Sequence, residues 1–200
     1  GTDKNGLLTV GITKQIVQSM LGKAQREAKQ SGREKDGIAV AFESTATAVR
    51  SAKVNFDAAA IDLLKASGVK KITVSTAAFS FSLDKEAIKK VEAKTKDKVA
   101  VKVTPVTTLS TAAKKLMGSR PVYTTSIADA SGNRVTDLGK GSMTFSIYYK
   151  ASAKEKTGRL YAVSIDSKGQ TKSISGSSYL DGWITCTSTI VTTYGVAYKK

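Results

Sequence analysis

The chain has 200 residues, 40% of them hydrophobic, and 32 Lys+Arg against 16 Asp+Glu give a formal net charge of +16. That length suits one large domain or two small ones, and the apolar content is enough for a packed core, so disorder is excluded as the default. Histidine is absent and Cys186 is the single cysteine, which excludes an internal disulfide and removes most zinc, haem and Ser-His-Asp designs.

The chain opens abruptly with "GTDKNG". Its opening does not read as a signal peptide and it holds no run of about 20 apolar residues; the expectation is a segment of a longer, processed protein whose first glycine is a cloning remnant. "LLTVGI" (7–12) predicts a strand. Thr13 then caps a helix to about Gln30, with Ile16, Val17, Met20, Leu21, Ala24 and Ala28 on one face. "KQSGREKDG" is a polar loop and "IAVAFE" (38–43) a strand.

An internal repeat follows. "FDAAAIDLLKA" from Phe56 and "LDKEAIKKVEA" from Leu83 share one pattern, in which a strand ends at the apolar residue and the aspartate caps a helix. Asp57 and Asp84 could pass for a carboxylate pair, but capping explains both. Ile12, Thr13 and the helix after them look like a degenerate third copy. Between the copies "KITVS" and "AFSFSL" form a hairpin. Ile72, Val74, Phe79, Phe81 and Leu83 face inward, and Lys71, Thr73, Ser75, Ser80 and Ser82 face water. "KVAVKV" repeats the alternation. Gly68 marks a helix end that needs positive φ.

"LSTAAKKLMGSRP" (109–121) predicts a short helix capped by Ser110 and ended by Gly118. The chain then turns all-β through "PVYTTSIAD", "MTFSIYYK", "RLYAVSID", "TKSIS", "WITCTST" and "IVTTYGVAY". "DASGN" (129–133) and "DSKGQ" (166–170) read as hairpin tips. Neither has the ligand set of a calcium loop. In the last strand Ile190, Tyr194, Val196 and Tyr198 share one face, opposite Val191, Thr193, Gly195 and Ala197. Lys199 and Lys200 lead out of the module.

The remaining motifs have plain explanations. Ser110 stands one helical turn from Lys114, a spacing open to a Ser-Lys nucleophile, yet it suits a cap. "GKGS" (139–142) lacks the loop length and the following helix of a phosphate loop and reads as a turn. No carboxylates pair for glycoside hydrolysis. Cys186, without a histidine to activate it, reads as a buried thiol. The chain is expected to be no enzyme and to hold no cofactor or metal.

Binding is the better prospect. Residues 1–100 hold 18 basic and 11 acidic residues, and residues 101–200 hold 14 and 5. Lys outnumbers Arg and no basic run appears, so the charge is diffuse and a nucleic-acid reading rests on charge alone. Lys85, Lys89, Lys90 and Lys94 on one helix form the candidate polyanion patch, with Glu86 and Glu92 interleaved. Trp183, Tyr148, Tyr149 and Tyr179 are the candidate glycan contacts, among strand aromatics that include Tyr123 and Tyr161.

Four stretches carry a resemblance: "VNFDAAAIDLLKASGVKKITVSTAAFSFSLDKEAIKKV", "RPVYTTSIADASGNRVTDLGKGSMTFSIYY", "LYAVSIDSKGQTKSI" and "WITCTSTIVTTYGVAY". Together, over about residues 8–198, they resemble an extracellular module of large secreted Gram-positive cell-surface proteins. Such proteins often carry Ig-like or cadherin-like repeats and S-layer homology segments or wall anchors. The resemblance implies a cell-surface or cell-wall location and a non-catalytic adhesive or structural role. The partners it implies are wall polymers, host or environmental glycans, or surface proteins, with no specific nucleic acid and no membrane insertion. Members usually show a His-Phe-Ser triplet before the final Tyr; here Ile190, Val191 and Thr192 stand in its place, so a role needing that histidine is unsupported.

The expected fold is α+β. A strand-helix repeat region with a hairpin (1–118) packs with an antiparallel, sandwich-like β region (119–200), as two domains or one continuous module.

Overall fold

The structure is a computed structural model and describes residues 2–199. The readings of Gly1 as a remnant and of Lys200 as a lead-out lie outside those residues. The chain is mixed α and β, 25% helix and 39% strand, with two sheets.

In chain order the elements are β1 (Leu7–Ile12), α1 (Lys14–Gln30), β2 (Ala39–Glu43), β3 (Ser51–Phe56), α2 (Ala58–Ala66), β4 (Lys71–Ser75), β5 (Phe79–Asp84), α3 (Lys85–Lys94) and β6 (Val99–Pro105). Then come α4 (Thr111–Met117), β7 (Val122–Asp129), β8 (Arg134–Val135), β9 (Met143–Tyr148), β10 (Leu160–Ile165), β11 (Thr171–Ser173), β12 (Ser178–Leu180), β13 (Trp183–Ser188) and β14 (Thr193–Tyr198).

The first sheet runs β1-β3-β6-β7-β14-β10-β11, with β8 on β7; the second runs β12-β13-β9-β5-β4-β2. Strands from both sides of residue 118 mix in each sheet, through the β6–β7 and β5–β9 pairs. β1–β3 and β2–β4 are parallel and the other pairs antiparallel.

The alternation of apolar residues turns one face of each sheet toward the other. Phe79 and Phe145 of the second sheet meet Tyr123 and Tyr194 of the first, with ring centroids 5.2 Å apart for Phe79–Tyr123 and 5.5 Å for Phe145–Tyr194. Each ring so buried contributes about 2 kcal/mol of apolar transfer. Tyr194 sits fully inside, and burial pushes its hydroxyl up to about 12.

α1, α2 and α3 each carry the chain from one sheet to the other and lie side by side. Val17 and Leu21, then Ala60, Ile61 and Leu64, then Ala87, Ile88 and Val91 point into the core. The broad apolar stripe expected on α1 is a correction: Ile16 is exposed and Met20, Ala24 and Ala28 are half-buried. α1 is the end member of the helix row, packed against α2 on one side only, so part of its stripe meets water.

The capping aspartates differ. Asp84 Oδ1 accepts from Ala87 N at 2.8 Å, while its Oδ2 accepts from Ser142 N at 2.9 Å and Ser142 Oγ at 2.6 Å. Asp57 occupies the N-cap of α2, but its side chain makes no capping bond. Thr13 Oγ1 caps α1 through Ile16 N at 3.3 Å. "GKGS" is a turn, and Gly141 is its critical residue, because a Cβ there would lie 2.1 Å from Ala87 N.

The closing strand keeps the expected alternation and is covered on both faces. β14 is central in its sheet, and Tyr194, Gly195, Val196 and Ala197 are all buried. One face joins the main core. The other lies under α4, whose Ala113 and Met117 pack with Val122, Val163, Ile165 and Ala197. Gly195 is small because a Cβ there would come within 3.0 Å of Val122 Cγ2 and 3.3 Å of Met117 Sδ.

Candidate functional site on the outer face of the second sheet

Four adjacent strands of the second sheet each carry a hydroxyl-any-hydroxyl triplet: Thr73-Val74-Ser75, Ser80-Phe81-Ser82, Thr144-Phe145-Ser146 and Thr185-Cys186-Thr187. The middle residue of each is buried in the core, which turns the two flanking hydroxyls outward. The pairing register then aligns them across the strands. One row is Thr73, Ser82, Thr144 and Thr187; the next is Ser75, Ser80, Ser146 and Thr185, with Ser178 of β12 continuing it.

The hydroxyls bond in pairs across the strands: Thr73–Ser82 at 2.9 Å, Ser75–Ser80 at 3.0 Å, Ser146–Thr185 at 2.9 Å and Thr144–Thr187 at 3.2 Å. The edge of Ser82 is nearly shielded by its neighbours, with 8% of its surface exposed, so this part of the expected wet face is tighter than alternation alone suggests.

Beyond the second row lies an apolar strip. Tyr148 stands directly opposite Trp183, and Trp183 opposite Leu180. The rings of Tyr148 and Trp183 meet edge to face with centroids 5.3 Å apart. Tyr148 is 44% exposed and Leu180 71%. The two hydroxyl rows and this strip contain no charged side chain, although 24% of the chain's residues are charged. Charges stand at the margin: Lys71 and Asp84 face each other in the adjoining row, and Glu43 of the edge strand, directly opposite Ser75, ends the second row.

The candidate aromatics therefore divide. Tyr148 and Trp183 share the outer face. Tyr179 is half-buried against the core, and its hydroxyl accepts from Ala151 N at 3.3 Å. Tyr149 belongs to a packing knot: its hydroxyl donates to Glu155 Oε2 at 2.6 Å, and the other Glu155 oxygen accepts from Arg120 Nε at 2.8 Å. Arg120 also lies 5.2 Å from the centre of the Tyr198 ring. Burial alone would raise the Glu155 carboxyl, but the Tyr149, Ser152 and Arg120 bonds outweigh it and hold it down at about 2.

The lysines of α3 do not form one open stripe. Lys85 and Lys94 are exposed and Lys89 and Lys90 half-buried. Lys89 pairs with Glu86 at 2.7 Å, and Glu92 pairs with Lys65 of α2 at 2.8 Å. On the first sheet Lys53 and Lys102 stand directly opposite each other.

Other chemistry-bearing residues have structural work. Ser110 Oγ accepts from Ala113 N at 3.3 Å and donates to the Gly169 carbonyl at 3.2 Å. Asp129 and Asp166 organise the two expected hairpin tips by accepting from Asn133 N and Gln170 N, each at 2.8 Å. Cys186 is buried, and desolvation pushes its thiol up to about 12. Among the described residues no three His, Cys, Asp or Glu side chains cluster as a metal site, and no helix is long and apolar enough to cross a membrane.

No protein-family model matches the chain, and no curated protein is similar to it. Alternation turns Thr73, Ser75, Ser80 and Ser82 outward as expected, but no single strand shows that they align with Thr144, Ser146, Thr185 and Thr187. The signal is the recurrence of the hydroxyl triplet in strands 73–75, 80–82, 144–146 and 185–187.

Proposed function

We propose that the chain is a non-catalytic extracellular module of a bacterial cell-surface protein, working in adhesion, and that the outer face of the second sheet is its recognition surface. One observation supports this most: an exposed Tyr148, packed edge to face on a half-buried Trp183, adjoins an uncharged field of hydroxyls on a chain of net charge +16. An exposed apolar strip rimmed by polar residues marks an interaction surface, and Tyr148 and Leu180 supply such a strip here. The sequence resemblance to Gram-positive surface modules supports the location. In the same reading, the strand-cap-helix units ending in α1, α2 and α3 are copies of one element, packed with a sandwich-like β region.

A second reading has its own support. Lys53 facing Lys102 on the opposite sheet favours weak, salt-sensitive attraction to anionic wall polymers.

Binding to isolated Gram-positive envelopes, with a salt titration and a Tyr148→Ala comparison, tests both. The first reading expects binding that persists in high salt and falls with Tyr148→Ala. Equal binding by the variant would remove this face from the account, and steep loss with salt would leave only diffuse charge.

A further inference from the structure

We propose that the hydroxyl rows and the aromatic strip form one track for an extended, uncharged, unbranched polysaccharide chain lying across the strands. This rests on the reading of that face as the recognition surface and adds the class and direction of the partner.

Charge selects a neutral polymer. A polymer with carboxylates or phosphates would surrender hydration on this face and find no cation within the rows. Lys71 borders the rows but stands directly opposite Asp84, and the facing lysines Lys53 and Lys102 are on the other sheet.

Hydrogen-bonding capacity selects sugars. Each paired hydroxyl set, such as Ser146–Thr185 at 2.9 Å, uses one O–H internally. It keeps a second O–H to donate outward and lone pairs to accept. Sugar hydroxyls likewise donate and accept, which ammonium and carboxylate groups cannot do together. The faces of Tyr148 and Trp183 supply apolar area for the C–H faces of pyranose rings.

Spacing selects direction. Neighbouring strands lie about 4.8 Å apart, close to the length of one sugar ring in an extended chain. A chain crossing β4, β5, β9 and β13 would then meet a fresh hydroxyl at every ring over roughly 14 Å. The face is open, so internal stretches of a polymer fit it as well as chain ends.

The test is calorimetric titration of the full chain with length series of linear neutral oligosaccharides (cellulose-, chitin- and mannan-type), with an anionic polysaccharide alongside. Affinity for at least one neutral series is expected to rise about tenfold from disaccharide to hexasaccharide, as added rings meet added strands. It should change less than about twofold between low and high salt. Ser146→Lys, at the centre of the rows, should weaken it about tenfold, and Lys102→Ser on the opposite sheet should not. If unfolding curves show that Ser146→Lys has lost the fold, Thr144→Lys replaces it. Equal affinity for disaccharide and hexasaccharide would overturn the track, as would preference for the anionic polymer. Ice-crystal shaping abolished by Ser146→Lys, without sugar binding, would overturn it too. Absence of neutral-sugar binding while Tyr148→Ala still abolishes envelope binding would overturn the track and leave the recognition face standing.

Discussion

Tyr148 lies over the backbone of Gly182, so close that a Cβ on Gly182 would sit 2.8 Å from Tyr148 Cε2. Gly182 and Asp181 both have positive φ, at 86° and 49°, forming the two-residue turn that joins β12 to β13. The turn thus sets the height of the Tyr148 ring beside Trp183. Gly182→Ala should strain the turn and lift the ring, costing about 1–2 kcal/mol of stability. It should also weaken envelope binding as Tyr148→Ala does. Thermal unfolding and an envelope-binding isotherm on the same preparation check both effects.

Glu155 gives a pH prediction. Its carboxyl is held at about 2 in the fold against an ordinary 4.5. A depressed carboxylate stabilises fully above its unfolded value, and that contribution is lost as pH falls toward the folded value. Acid destabilisation from this group should therefore develop between about pH 4.5 and pH 2. Glu155→Gln leaves Arg120 without its carboxylate partner and should cost about 3 kcal/mol at neutral pH. It should also flatten the acid dependence in that window. Urea unfolding at a series of pH values measures both.

The two aspartates of the repeat should differ on mutation. Asp84→Ala removes a helix cap and both Ser142 bonds, for a loss of about 2 kcal/mol. Asp57→Ala removes no side-chain bond and should cost under about 0.5 kcal/mol. Gly141→Ala drives a Cβ into the backbone of Ala87 and should exceed both. Chemical denaturation of the three variants ranks them.

Cys186 should resist thiol reagents in the native protein, since burial holds its thiol far above neutral pH. It should react at once in denaturant. Labelling rates with a colorimetric disulfide reagent, with and without urea, provide the check.

Much of the fold was legible because local rules and tertiary demands agree. The β4–β5 hairpin, the Thr13, Asp84 and Ser110 caps and the Gly132 and Gly169 turns follow from alternation and turn chemistry. The short strands 134–135 and 178–180 escaped because two or three residues show no period. The burial of β14 on both faces is not legible from its own alternation, because its cover, α4, comes from far earlier in the chain; only Gly195 and Ala197 hint at close packing on that side. The hydroxyl rows were hidden for a related reason. Their strands are neighbours in the order β13, β9, β5, β4, a register that depends on both sheets assembling and that no single segment encodes.

Trp183 is the only tryptophan in the chain and stands on the proposed recognition face, so its fluorescence reports that face alone. Titration with isolated envelope polymer should shift or quench Trp183 emission saturably, with little dependence on salt, and Ser146→Lys should move the midpoint about tenfold higher. Saturable polymer binding seen by sedimentation, with Trp183 emission unmoved and Ser146→Lys binding as wild type, would contradict the account.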